Sequence, residues 1–148
     1  MARSVSSIVE IVASRPAGQP DIVHRNLSVI VGRLSRPLEQ RILPSGETAT
    51  TFDVMVRAPV PFDRSPGEPS IRTESIPVTW FCSNDKELSL EPGDDVLVVG
   101  SVRRRFFRQG GITQSRTDVV ATVVVAARRR AAVRRALAAA ASQLGNEP

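Results

Sequence analysis

The sequence predicts an all-β domain, a small barrel or a sandwich. Three observations carry that prediction. Several short segments alternate apolar and polar residues with a period of two, the repeat of a half-buried strand. Clusters of Pro, Gly, Ser and Asp punctuate them at the points where turns belong. The chain of 148 residues is also long enough for one domain with tails.

Taken in order, residues 1–21 read as an N-terminal extension. Val5, Ile8, Val9, Ile11 and Val12 fit neither a clean helix nor a clean strand, and Pro16 to Pro20 form a breaker. His24 to Leu34 is a strand candidate in which Leu27, Val29 and Val31 alternate with Ser28, Ile30 and Gly32. Pro37 to Leu43 continues as an extended piece, and Pro44-Ser45-Gly46 is a hairpin turn. Thr48 to Arg57 is a strand with Phe52, Val54 and Val56 on one face. Pro59 to Ser70 is a long loop, broken repeatedly by Pro59, Pro61, Pro66, Gly67 and Pro69; loops of that length in small domains are commonly functional. Ile71 to Phe81 is the next strand, where Ile76, Val78 and Trp80 alternate with Pro77, Thr79 and Phe81. Ser83 to Leu90 has room for a short helix capped by Ser83 or Asn84.

The stretch Pro92 to Phe107 organises the rest. A Pro92-Gly93-Asp94 turn leads into the apolar run Val96 to Val99, and Gly100 marks a bulge or sharp bend. Beyond it the strand turns cationic and aromatic. Ser101, Arg103, Arg105 and Phe107 share one face; Val102, Arg104 and Phe106 share the other. Arginines beside an aromatic ring suit a nucleic-acid platform, guanidinium groups taking phosphates and the ring a base. An ordinary edge strand with solvated arginines and one core phenylalanine fits the same residues. Arg108 to Ile112 is a turn, and Ser115 to Ala127 is the last strand. Five or six strands with a helix between the third and fourth suit a five-stranded OB-fold barrel spanning residues 22–127.

Ala126 to Leu144 then switches to helix, in a tail defined as residues 128–148. Val133, Leu137, Ala140 and Leu144 lie near one face, and Gly145 is a stop. This tail carries Arg128, Arg129, Arg130, Arg134 and Arg135 against Glu147 alone. It therefore holds most of the net charge of +5, and the body is nearly neutral. An electrostatic role as an auxiliary basic clamp on nucleic acid is one reading of it, a partner-binding or solvent-exposed helix another.

Composition narrows the function. One cysteine, Cys82, excludes an internal disulfide framework and a cysteine zinc cluster, and one histidine, His24, leaves no histidine-rich metal site. Neither a Ser/His/Asp order nor a glycine-rich phosphate loop occurs. The expectation is a protein that is not an enzyme and needs no cofactor or metal. No apolar run reaches the roughly 18 residues of a membrane helix, and Glu10 interrupts the N-terminal apolar segment. A cytoplasmic, nucleoid-associated protein without a signal peptide or membrane partner is expected.

From about Asn26 to Ala127 the chain resembles the bacterial single-stranded DNA-binding protein (SSB) family. Asn26 to Leu34 looks like its first strand. Pro37, Arg41, Pro44 and Gly46 resemble the pattern that follows it. Phe52 to Val56, Val78-Thr79-Trp80, Leu90 to Gly93, Val96 to Gly100, and Val102 with Arg103, Arg105 and Phe107 continue the match. The resemblance implies an OB-fold, assembly into a homo-oligomer (dimer or tetramer), and sequence-tolerant binding of single-stranded DNA in replication, repair or recombination. Trp80 and Phe107 match base-stacking positions, and Arg103 and Arg105 match the basic positions before the aromatic. Phe62 lies in the loop that carries another aromatic in the family. With Arg57, Arg64, Arg108 and Arg116 they make up the expected nucleic-acid-binding set. Glu74 stands where the family often has an aromatic, and an arginine-alanine helix stands where it has an acidic tip. A divergent or accessory member is therefore expected. RNA as ligand, or an oligomerisation scaffold that binds proteins, are the alternatives.

Overall fold

The computed structural model describes residues 24–59, 65–67, 70–82 and 89–145. Its strands are β1 (Ser28–Leu34), β2 (Glu39–Ile42), β3 (Thr48–Pro59), β4 (Ile71–Cys82), β5 (Asp95–Gln109) and β6 (Ile112–Ala126), followed by one helix, α1 (Arg130–Gly145). The N-terminal extension and the short helix expected after Trp80 lie outside the described residues, save Ser89 and Leu90, which are not helical.

The sheet order is β1-β5-β6-β4-β3-β2, and β1 also pairs with β3. That last pairing, Arg33 with Met55 and Leu34 with Val54, closes five strands into a barrel. β2 continues along β3 from where β1 leaves it, Glu39 opposite Thr51 and Ile42 opposite Thr48. All pairings are antiparallel except β4 with β6, where Val78, Thr79 and Trp80 lie beside Val119, Val120 and Ala121. A five-stranded Greek-key barrel with this closure is an OB-fold.

Period-two alternation puts Ile30 and Leu34, Phe52 and Val54, Val78, and Val96 and Val98 inside. One irregularity keeps the last strand in register with them. The β5–β6 ladder slips between Val99 and Gly100: Val99 faces Val123, Gly100 faces Ala121, and Thr122 is the extra residue. Val119 and Ala121 point inward before the slip, Val124 and Ala126 after it. Without the bulge one pair would face outward, since a one-residue shift flips every side chain. Thr122 Oγ1 donates to the Val99 carbonyl at 3.1 Å, which holds the bulge. Gly100 is required there, because a Cβ would run into the Val120 carbonyl. Gly32 meets the same constraint where β1 crosses the Met55 carbonyl and Val54 at the barrel closure.

The outward side of β5 and β6 is apolar too, and the chain covers it itself. Val133, Ala136 and Ala140 of α1 pack on Leu97, Val99 and Val123, with Leu27 at the margin. Of the four residues that the sequence put near one face of the helix, Val133 and Ala140 pack there, while Leu137 and Leu144 are exposed. Two alanines four residues apart let the helix axis come closer to the sheet than leucines would. The helix also starts later than its alanine content suggests, because Ala126 is the final residue of β6.

Past the barrel, β5 and β6 run on as a two-stranded arm. β1 pairs with β5 only as far as Gly100, and β4 reaches β6 only from Val119 onward. Arg103 to Gln109 and Ile112 to Asp118 therefore pair only with each other. At the arm's base Asn26 prolongs the β1 edge with its side chain: its Nδ2 donates to the Val102 carbonyl at 2.7 Å and its Oδ1 accepts from the Val102 amide at 3.0 Å.

Candidate nucleic-acid interface

A groove of about 750 Å³ opens on the outer wall of the barrel between the start of β2, the faces of β3 and β4, and the arm. Alternation sets its floor. Inward Phe52, Val54, Val78 and Trp80 leave Ala49, Thr51 and Asp53 of β3, and Pro77, Thr79 and Phe81 of β4, facing outward. Ala49 lies opposite Phe81 and Thr51 opposite Thr79. Arg36, Arg41, Arg105 and Arg116 supply the cations of the lining, against Glu39, Asp53 and Asp118.

A buried ionic network fixes the arm to the floor. Asp118 is only 3% exposed. Its Oδ2 accepts from the Thr79 hydroxyl at 2.7 Å and from Arg103 Nη2 at 2.8 Å, and its Oδ1 accepts from Arg103 Nε at 3.1 Å. Burial pushes the Asp118 carboxyl up. The bonds from Arg103 and Thr79 and the charges of Arg103 and Arg105 outweigh it and hold the group below the usual carboxylate range. The Arg103 guanidinium stands 5.7 Å from the centre of the Phe81 ring. Arg103 is thus already engaged as the brace between β4, β5 and β6. No buried side-chain polar atom lacks a partner among the described residues, so the network is a finished structural unit.

Arg105 is different. It lies directly opposite Arg116 on the same face of the arm, half exposed, with Asp118 at 3.5 Å. Two cations directly opposed across a ladder repel; Asp118 pairs with Arg105 and, more closely, with Arg103. Phe107 follows on the same face, opposite Gln114, and is 41% exposed.

The other expected residues are spread more widely. Trp80 is half-buried against the core cluster, on the opposite side of β4 from the groove. Arg57 is exposed on the outer side of β3, opposite Thr73 and away from the groove lining. Arg108 is exposed near the arm's tip on the face of Phe106, whose ring lies 5.0 Å beneath the Arg104 guanidinium. Phe62 and Arg64 lie outside the described residues. Arg128 pairs with Asp94 at 3.3 Å and donates to the Ser89 carbonyl; none of the five helix-region arginines lines the groove. Phe81, 39% exposed on the groove floor, was not among the expected residues, nor were Arg36 and Arg41. Period two around Trp80 marks Phe81 as outward-facing, and Arg41 belongs to the pattern after the first strand.

The model of the single-strand binding protein family matches residues 25–127. The chain belongs to that family. The matched range covers the whole barrel and the arm and stops before α1, so the helix lies outside the part that defines this SSB family member. A search of curated proteins finds no match. Among solved structures the chain is similar to that of the Plasmodium falciparum SSB complex with ssDNA, with a TM-score of 0.58 and 21% identity over 69% of this chain and 90% of the other. At that identity the likeness is one of fold. Among the described residues of this SSB family protein no cluster of three metal-ligating side chains occurs, and no helix is long and apolar enough to cross a membrane.

Proposed function

We propose that this chain binds single-stranded DNA in the groove between the outer faces of β3 and β4 and the arm, without strong sequence preference. The observation that carries the reading is the opposed pair Arg105 and Arg116, two exposed guanidinium groups on one face of the arm. A phosphate bridging them turns repulsion into two charge-assisted contacts. Arg36 and Arg41 on the far wall extend the cationic lining. Phe81 on the floor and Phe107 on the arm offer ring faces for bases, the combination of cations and stacking surfaces that holds single strands. Trp80, next to Phe81 and half-buried, is the natural fluorescent reporter. Membership of the family and the likeness to an SSB in complex with ssDNA support the reading, and replication, repair or recombination is its setting.

Self-association belongs to the same proposal. Val29 and Val31 on the outward side of β1 are 46% and 60% exposed, beside the strip that α1 covers. A second subunit would remove them from water.

Fluorescence anisotropy of labelled oligo-dT, titrated with the protein at several salt concentrations, tests the binding. Saturable binding that weakens with salt is expected. No binding at low salt would remove the proposal and leave the barrel as a protein-binding scaffold; tighter binding of oligo-U would make RNA the ligand.

A further inference from the structure

Outside the groove, a second run of cations lies along the start of α1. Arg128, Arg129, Arg130, Arg134 and Arg135 are all exposed, and no acidic residue stands in the first turn. Arg128 is tied to Asp94. Among the described residues Arg129, Arg130, Arg134 and Arg135 have no ion-pair partner. Two unfavourable terms coincide here. Cations at a helix N-terminus oppose the macrodipole. Arg130 and Arg134 are four residues apart on one flank, where like charges repel. Arg135 follows at once. The helix tolerates this because its other face is held by Ala136 and Ala140 against Leu97 and Val99. The docking also holds the cationic surface on a wall of the barrel that shares no lining residue with the groove.

We infer that this helix surface is a second nucleic-acid site that grips the phosphate backbone of a duplex. It goes beyond the groove reading and does not depend on it. The helix has no aromatic side chain, so it offers an unstacked base nothing to lie on. What it offers is point charges. A duplex presents about one charge per 1.7 Å of its axis, more than a single strand, and rewards such a surface through counterion release. A protein with both sites holds a single strand in the groove and a neighbouring duplex on the helix, as at a junction between the two.

The test is anisotropy with a labelled DNA duplex on the full chain, beside labelled oligo-dT. The wild type is expected to bind the duplex at low salt. Arg129, Arg130, Arg134 and Arg135 changed together to Gln should weaken the duplex at least about tenfold and flatten its salt slope by about 0.9 for each phosphate no longer neutralised. Oligo-dT binding in the groove should persist. The same four positions changed to Lys should retain duplex binding, since a point charge suffices for a phosphate. Arg105→Gln with Arg116→Gln should lower oligo-dT binding and spare the duplex. An experiment without variants adds a second decision: saturating unlabelled oligo-dT should leave the labelled duplex bound. Displacement of the duplex by oligo-dT, absence of duplex binding at low salt, or an unchanged affinity in the Gln variant would each overturn the inference. So would tighter binding of polyglutamate than of the duplex, which would mark the helix as a site for an acidic protein. Loss of oligo-dT binding alone strikes the groove reading and leaves this one standing.

Discussion

Phe81 and Asp118 show how much depends on single positions. Both lie on the outward side of their strands, next to a residue that faces the core, half-buried Trp80 and buried Val119. Phe81 is the one exposed ring among the described residues that line the groove, so Phe81→Ala should weaken oligo-dT binding by about 1–3 kcal/mol, roughly tenfold or more, with little loss of fold. Phe107→Ala on the arm should act similarly; a change in melting temperature instead of affinity would mark the ring as a packing group. Asp118 has the opposite character. Asp118→Ala strands Arg103 and the Thr79 hydroxyl and should cost about 3 kcal/mol in a denaturant titration. Its carboxyl is more acidic in the folded than in the unfolded state. The stability it contributes is therefore present above the unfolded carboxylate value near 3.9 and fades as pH falls through the lower folded value. An acid titration should show the wild type losing stability in that window and Asp118→Asn losing less. At this scale the sequence was legible in part. Arg103, Arg105 and Phe107 announced a shared face through alternation, and they share it. That Arg103 is spent on a buried aspartate was not legible, because Asp118 is distant in sequence and reaches Arg103 only through the β5–β6 register. Trp80 was expected to stack through the family resemblance rather than Phe81, and the pleat turns Trp80 toward the core.

Among the elements, the strands were the most readable. Their two-residue repeat survives in β1, β3 and β4 with hardly an exception, and Gly100 marked the irregularity in β5. Where the extra residue sits was not readable, since Thr122 on the partner strand looks like any other strand threonine. Gly100→Ala should force its new Cβ against the Val120 carbonyl and destabilise the barrel by about 1–3 kcal/mol, measured as a lowered denaturant midpoint with an unchanged slope. A neutral Gly100→Ala would mean that the bulge opens easily and does not hold the register of β6. The docking face of α1 was readable in part, Val133 and Ala140 packing on the sheet and Leu137 and Leu144 not, for a physical reason. Hydrophobicity favours leucine, whereas close approach to a sheet favours alanine, and the helix uses Ala136 and Ala140.

At the scale of the whole molecule, α1 changes the argument for self-association. Two-sided apolar strands call for a cover, and most of that cover is intramolecular. What remains is the exposed pair Val29 and Val31 with Leu137 exposed on the helix. Sedimentation at micromolar concentration should show a mass above the monomer, and Val29→Glu with Val31→Glu should return it to one chain; a monomeric wild type would show that the helix suffices.

The central claim is that the Arg105 and Arg116 pair in the groove exists to hold phosphate. The most direct measurement is the salt dependence of oligo-dT affinity for the wild type and for Arg105→Gln with Arg116→Gln, beside the melting temperature of both. If each arginine neutralises a phosphate, the variant's slope should be shallower by about 0.7 per arginine. Its affinity at low salt should fall at least about tenfold, and its melting temperature should hold or rise as the repulsion is removed. An unchanged slope and affinity in a folded variant would contradict the account and place the strand elsewhere.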